Sequence, residues 1–484
     1  MRRRRIDFLG LCLTILTATT ALTRICHAAE QPNIVFIFAD DQTFHSIAAL
    51  GNDEIRTPNL DRLSRRGITM THAYNMGSWS GAVCIASRTM LNTGRFLWKA
   101  NAVYKDAEKL RQAGKFWSEE LKGAGYRTYF TGKWHVKANA TEAFDVAGHV
   151  RGGMPKQTPA GYNRPLLGQP DPWSPFDTSF GGFWQNGKHW SEVLGDDAVG
   201  FLQEAATQDQ PFFMYLAFNA PHDPRQAPQE YVDMYPLDKI RVPDSYVDLY
   251  PHRAAMGAGE TLRDEKLAPF PRTTHAVKVH RQEYYAIITH MDRQIGRILD
   301  AIEATGKSAN TYIVFTADHG LACGHHGLMG KQNLFDHSVR VPLIVAGPNV
   351  PVNRQVRGDV YLQDIMPTTL EWAGVEKPDY VDFRSLVPVI QGERASNYSQ
   401  IYGGYLQLQR MVIDSDYKLI LYPKSKTVLL YDLKNDPDEL NNLAENASQR
   451  TRIREMFAKL RELQQQTGDQ LDLVQTYAEL SKDG

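Results

Sequence analysis

Asn33-Ile34-Val35-Phe36-Ile37-Phe38 is an unbroken apolar run that ends on Ala39-Asp40-Asp41. No polar residue alternates within it, so it suits a strand covered on both faces, as in a parallel sheet. Similar runs recur at 211–218, 312–316 and 341–346, with a shorter one at 127–130. Helical patterns lie between them, at 116–124, 196–206, 281–305 and 362–373. Strands alternating with helices predict an α/β fold whose mainly parallel central sheet is sandwiched by helices. After about Gly392 the pattern changes. Short runs at 410–413, 418–422 and 428–431 read as antiparallel strands, and 446–465 as an amphipathic helix. The expected division is a main domain over 29–392 and a small C-terminal α+β subdomain over 393–484. Residues 152–190 and much of 221–272 are rich in Gly, Pro and aromatics and read as long loops, a common place for substrate contacts.

The chain begins with an address. Arg2, Arg3, Arg4 and Arg5 precede an apolar stretch over 8–22, and Cys26-His27-Ala28 offers small residues for cleavage. This predicts a signal peptide over 1–28 and export to the periplasm or beyond. The apolar stretch is short for a membrane span and Arg24 interrupts its end, so no stable membrane anchor is expected. Of four cysteines, Cys12 and Cys26 leave with the leader, and Cys84 and Cys323 remain. An exported chain without a disulfide framework stands on its core, and Cys84 is free for chemistry. With 54 Lys and Arg against 55 Asp and Glu, charge gives no reason to expect nucleic acid as a partner.

The chemical residues fall at predicted strand ends. Asp40-Asp41 follow the first strand and Asp318-His319 follow the strand at 312–316. In a parallel sheet both pairs arrive at the ligand-binding edge. Carboxylates converging there call for a hard cation, Ca²⁺ or Mg²⁺, with Mn²⁺ admitted by the nitrogen of His319. Lys133 and His135, in Gly132-Lys133-Trp134-His135, are two apart and would point the same way on an extended chain. His222 follows another buried strand. Cys84-Ile85-Ala86-Ser87-Arg88 opens a predicted helix, whose free N–H groups make an anion site, with Arg88 one turn on. Lys331 lies beyond Asp318-His319-Gly320. His189 is a candidate substrate contact, and Trp173, Trp184 and Trp190 are rings that can stack on sugar faces.

Cys84-Ile85-Ala86-Ser87-Arg88 matches the Cys-x-(Pro/Ala)-x-Arg sequence that formylglycine-generating systems oxidise. With Thr89-Met90-Leu91-Asn92-Thr93-Gly94-Arg95 after it, the segment resembles the type I sulfatases, and the resemblance runs from Pro32 to about Asn442. It implies an alkaline-phosphatase-like fold and hydrolysis of sulfate esters by a formylglycine made from Cys84. It also implies Ca²⁺ held by Asp40, Asp41, Asp318, His319 and the modified Cys84. By the same resemblance, Arg88, Lys133 and His135 serve the formylglycine, while His222 and Lys331 bind sulfate and assist the leaving oxygen. Lys418-Leu419-Ile420 and the stretch over 431–440 resemble the family's C-terminal part and read as packing and turn elements. Export and aromatic-rich loops point to a sulfated carbohydrate substrate and a role in polysaccharide degradation. The alternatives are a phosphate or phosphonate ester hydrolase of the same superfamily and a catalytically silent carbohydrate-binding homologue.

Overall fold

Strand β1 (Asn33–Asp40) is fully buried along its length, as its unbroken apolar composition requires. The computed structural model describes residues 31–153, 158–180, 184–185 and 187–481; the predicted leader, with Cys12 and Cys26, lies outside the described residues. The main sheet comprises β1, β2 (Ile68–Tyr74), β3 (Arg127–Lys133), β4 (Val146–Arg151), β5 (Phe212–Pro221), β6 (Thr311–Ala317), β7 (Arg340–Ala346), β8 (Arg354–Val356) and β9 (Val360–Tyr361). Their order is β8-β2-β7-β6-β1-β5-β3-β4, and β9 also pairs with β2. Only β7 runs antiparallel to its neighbours, so the sheet is mainly parallel.

Helices cover this sheet in two groups. Trp190–Ala206, Thr274–Ala304 and Pro58–Arg66 pack on one another, and Val83–Thr93, Trp117–Gly123 and Ile365–Trp372 form the second group. On the second side Phe36, Phe213 and Tyr215 close around the fully buried Trp117, with ring centroids 4.9 to 5.7 Å from its ring. The Trp117 indole N–H still finds a partner in Thr369 Oγ1 at 2.7 Å. Burial of each such ring stabilises the fold by about 1.5–3 kcal/mol.

The second sheet is antiparallel through Gln400–Tyr405, Gln409–Asp414, Tyr417–Tyr422 and Thr427–Asp432, and helix Arg450–Thr467 packs on it. Its far edge is completed by Gly77–Ser78, which pairs in parallel with Gln400–Tyr405. Neither Gln400–Tyr405 nor Gly77–Ser78 is expected from the sequence pattern, because the one contains Gly403-Gly404 and the other is two residues long. The pairing fastens the second sheet to the segment that leads into helix Val83–Thr93.

Register sets the chemistry of the parallel strands' C-terminal edge. Ala39 pairs with Ala317, and Asp40 with Pro221, so Asp40-Asp41, Asp318-His319 and His222 arrive side by side. Strand β3 brings Lys133 to the same edge because Gly132 lies against Ala217. A side chain at Gly132 would put its Cβ 1.9 Å from the Ala217 carbonyl oxygen, at φ +101°. Gly132→Ala should therefore cost about 1–3 kcal/mol of stability, read as a lower urea midpoint, and displace Lys133.

Candidate active site

Asp40 ends β1 and Asp41 follows it. Successive strand side chains point to opposite faces, which would separate the two carboxylates. Asp41 instead adopts φ +70°, which breaks the alternation and lets both approach one place. His135 is likewise left-handed, at φ +54°, so the chain from Lys133 to His135 is not extended as the spacing suggests. Both residues nevertheless reach Cys84: Lys133 Nζ lies 3.3 Å from Cys84 Sγ, and His135 lines the same cavity.

Cys84 is the second residue of helix Val83–Thr93, beside the helix's free N–H groups. It sits in a cavity of about 480 Å³ together with His135, His222 and Lys331. Arg88, one turn on, is wholly buried. Its Nε donates to Asp318 Oδ2 at 3.0 Å, its Nη1 to the Lys133 carbonyl at 2.6 Å, and its Nη2 lies 3.8 Å from Asp40 Oδ1. Lys133 Nζ is paired with Asp40 Oδ2. Lys331 Nζ donates to both oxygens of Asp41, at 2.9 and 2.6 Å. His222 Nδ1 donates to the Asp223 carbonyl at 2.7 Å, which turns its Nε2 to within 3.7 Å of Asp41.

These contacts set the charges. Burial works against a thiolate at Cys84, but Lys133, Lys331 and hydrogen bonds from His135 and His222 outweigh it and hold Cys84 well below the ordinary thiol range. The surroundings thus stabilise negative charge on the side-chain atom of residue 84. Burial and the neighbouring Asp40 push Asp318 up to about 7, against the pull of His319 and Arg88. Burial opposes charge on His319 too, yet Asp318 and Asp41 raise it to about 9.

The donor set suits a hard divalent cation. Ligand atoms of Asp40, Cys84, Asp318 and His319 lie within 4.8 Å of one another, the span of two ligands across a Ca²⁺ ion. His319 Nδ1 donates to the Gly320 carbonyl at 2.9 Å and so directs Nε2 toward Asp41, 3.0 Å away. Asp40 Oδ1 and His319 Nε2 are both buried without a hydrogen-bond partner. A cation between them would satisfy both and would relieve the crowding that raises Asp318.

The family profile described as Sulfatase matches residues 32–375, and that described as N-sulphoglucosamine sulphohydrolase, C-terminal, matches residues 324–466. The chain belongs to the sulfatase family. The sulfatase is 26% identical to the N-acetylglucosamine-6-O-sulfatase of Bacteroides thetaiotaomicron, over 91% of this chain and 87% of that protein. Among solved structures, the complex of BT4656 with its substrate D-glucosamine-2-N,6-O-disulfate superposes with TM-score 0.71 at 24% identity, over 91% of this chain and 99% of that one. The phosphonate monoester hydrolase of Agrobacterium radiobacter superposes with TM-score 0.68 at 21% identity, over 90% and 96%. The protein is an enzyme that hydrolyses sulfate esters.

The sulfatase site gathers Asp40, Asp41, Cys84, Arg88, Lys133, His135, His222, Asp318, His319 and Lys331 from distant parts of the chain. His189 does not join them. It is wholly buried as the N-cap of helix Trp190–Ala206, with Nδ1 accepting from the Ser191 amide at 3.1 Å and Nε2 donating to the Gln226 carbonyl at 2.7 Å. A histidine with both ring nitrogens so used is a structural cap and not a substrate contact, which corrects the sequence expectation. Trp173 is buried and stacks on Phe180 at 4.6 Å, and the guanidinium of Arg151 lies 4.7 Å above the ring of Trp190. The side chain of Trp184 lies outside the described residues.

Other residues of the site are not foreseen by motif. Tyr284 Oη donates to the Asp41 carbonyl at 2.7 Å and accepts from the Thr43 amide at 3.0 Å, fixing the turn after β1. Glu265 accepts from the Met329 and Gly330 amides, at 3.1 and 2.8 Å, and pairs with the buried Arg272, so it holds the loop that presents Lys331. Leu262, Arg263, Asp264 and Gln332 also line the cavity. Their only sequence signal is membership of the long 221–272 loop or adjacency to Lys331.

Proposed function

We propose that this sulfatase is an exported enzyme that removes sulfate from a sulfated carbohydrate, using a formylglycine made from Cys84 and a Ca²⁺ ion held by Asp40, Asp41, Asp318 and His319. The observation that carries this reading is the environment of residue 84, where lysines and imidazoles favour an anion on a buried side-chain atom. Cys84 Sγ stands where a formylglycine oxygen would be. Hydrated formylglycine would supply one hydroxyl to attack sulfur and a second to expel sulfate afterwards, which a plain thiol lacks. A formylglycine-generating enzyme is the partner that provides the oxidation. Bound Ca²⁺ would supply positive charge facing the sulfate oxygens.

The chain's own residues do the remainder. Lys133 and His135 hydrogen-bond the side-chain oxygen of residue 84. Arg88, locked by Asp318, keeps a permanent cation beside it. Lys331 and His222 bind the sulfate; His222 then protonates the departing sugar oxygen through Nε2, and His135 accepts the proton whose loss releases sulfate. The carbohydrate reading is supported by the likeness to the N-acetylglucosamine-6-O-sulfatase of Bacteroides thetaiotaomicron and by the predicted leader. The C-terminal part over 393–484 supports the site through the strand pairing at Gly77–Ser78.

Mass spectrometry of the peptide bearing Cys84, from a formylglycine-competent host, should find the aldehyde. Chelation with EDTA should lower turnover by about 10²-fold or more, with Ca²⁺ restoring it better than Mg²⁺. An unmodified thiol at full occupancy in an active preparation ends the formylglycine reading. A second reading, phosphonate or phosphate ester hydrolysis, is favoured by the fold shared with the phosphonate monoester hydrolase. Matched sulfate and phosphate esters decide between them, and faster phosphate turnover would select the second.

A further inference from the structure

The carboxylate of Asp41 meets three working side chains at once. Lys331 Nζ donates to both of its oxygens, at 2.9 and 2.6 Å, His319 Nε2 lies 3.0 Å from Oδ1, and His222 Nε2 lies 3.7 Å from Oδ2. Its place is set by the backbone, because at φ +70° Asp41 has left the strand for a region that residues other than glycine seldom occupy. Such a conformation persists only where the surroundings impose it. The Asp41 amide donates to Asp318 Oδ1 at 3.1 Å, which fixes one side of the residue. The side chains that follow do not help. Gln42 is wholly buried with neither amide atom hydrogen-bonded, and Thr43 Oγ1 is also buried without a partner.

The other side is held from 243 residues away along the chain. Tyr284, 2% exposed, projects from the long helix Thr274–Ala304. Its hydroxyl donates to the Asp41 carbonyl at 2.7 Å and accepts from the Thr43 amide at 3.0 Å. One hydroxyl thus bridges the two ends of the turn, spending its only donor and one acceptor site on backbone. Tyr284 does not line the catalytic cavity, so it reaches the chemistry only through Asp41. Phenylalanine in its place would keep the ring and leave a buried carbonyl and a buried amide without that partner. The turn would then relax toward extended backbone, which carries the Asp41 carboxylate away from Lys331 and His319. The next residue supplies the contrast. Tyr285 is equally buried, but its hydroxyl meets Arg281 and Glu54 and not the turn.

We propose that Tyr284 is a positioning residue of this sulfatase, whose hydroxyl holds Asp41 in the left-handed turn and so fixes that carboxylate toward the cation, Lys331 and His319. The cation part rests on the Ca²⁺ reading; the Lys331 contact does not. Ca²⁺ is titrated calorimetrically into the metal-stripped, full-length parent, Tyr284→Phe and Tyr285→Phe, each shown by its thermal melt to be folded. Tyr284→Phe should bind Ca²⁺ about 10- to 100-fold more weakly, the range for losing an outer contact to a metal ligand, while Tyr285→Phe keeps the parent's affinity. On an activated aryl sulfate, kcat/KM of Tyr284→Phe should fall by about the same factor at low Ca²⁺. Raising Ca²⁺ should recover part of it, which a general loss of stability would not allow. Parental affinity and turnover in Tyr284→Phe, or an equal loss in Tyr285→Phe, overturns the proposal. A parent that takes up no Ca²⁺ sinks the calcium reading instead and leaves turnover to decide. There, a fall of about tenfold or more confined to Tyr284→Phe upholds the role through Lys331, and parental turnover rejects it. A parent that turns over no aryl sulfate sinks the sulfatase reading and leaves the titration to decide. A parent that does neither takes this proposal down with both.

Discussion

Arg88→Ala should lower kcat/KM by about 10³-fold and remove about 3–5 kcal/mol of folding stability. The guanidinium is wholly buried between Asp318 and Asp40, beneath the Phe38 ring at 4.8 Å. Burial disfavours its charge, yet Asp318 and Asp40 hold it protonated far beyond neutrality. Deleting it strips Asp318 of its hydrogen-bonded cation at 3.0 Å and leaves only His319 opposite a carboxyl that already sits at about 7. It also leaves the Lys133 carbonyl, now bonded at 2.6 Å, without its donor. Its Nη2 faces Asp40 Oδ1 at 3.8 Å and has no hydrogen-bond partner. Arg88→Lys should rescue neither quantity well, because one ammonium cannot span Asp318, Asp40 and the Lys133 carbonyl as a planar fork does. Urea unfolding and steady-state kinetics on an activated aryl sulfate measure the two effects. A variant within tenfold of the parent in kcat/KM would show that this cation is a scaffold alone.

The sheet and most of the site are legible in the sequence for one reason. A strand buried on both faces has no room for polar residues, so the first polar residues after each run mark the functional edge. Asp40-Asp41, Asp318-His319 and His222 are all readable in this way. The short-range motif around Cys84 adds the helix start. What is not readable depends on single dihedral angles and on partners distant in sequence. Nothing in the run Ala39-Asp40-Asp41 announces that Asp41 turns left-handed, and the extended geometry expected for Lys133 to His135 fails at φ +54°. His189 looks like a pocket residue because it lies in an aromatic-rich loop, but a histidine two residues before Ser191 is also placed to cap a helix. Arg263 and Asp264 occupy a loop whose path no periodicity describes. Their contacts with Asp223 and Gln332 appear only in the folded chain.

The stretches around 418–420 and 431–440 read as packing elements, and their physical content supplies the second large effect. Lys418, in strand Tyr417–Tyr422, is wholly buried and reaches Asp336 Oδ1 at 2.5 Å, Glu439 Oε1 at 2.7 Å and the Leu334 carbonyl at 3.3 Å. Asp336 opens the short helix Asp336–Val339 that directly precedes β7, so this triad joins the second sheet to the main one. Burial works against charge on both carboxyls. Lys418 and Arg340, 3.5 Å away, nevertheless hold Asp336 down at about 2, while Glu439 is driven up to about 7 by burial and by Asp336 beside it. Lys418→Met should cost about 3–5 kcal/mol at pH 7.5, because it leaves two buried carboxyls with only Arg340 near them. The penalty should then shrink as the solution is acidified. A carboxyl whose folded pKa lies above its unfolded value near 4.5 contributes more to stability at lower pH, since the folded state binds the proton first. Without Lys418, Glu439 moves further up; because the parent's Glu439 itself takes up a proton near 7, the variant should regain about 0.7 kcal/mol relative to the parent between pH 7.5 and 6.5 and little more by 5.5. Urea unfolding of both proteins at pH 7.5, 6.5 and 5.5 reads that difference directly. A penalty that stays constant across the three would mean that the lost energy is packing of the lysine stem and not the charge it carries.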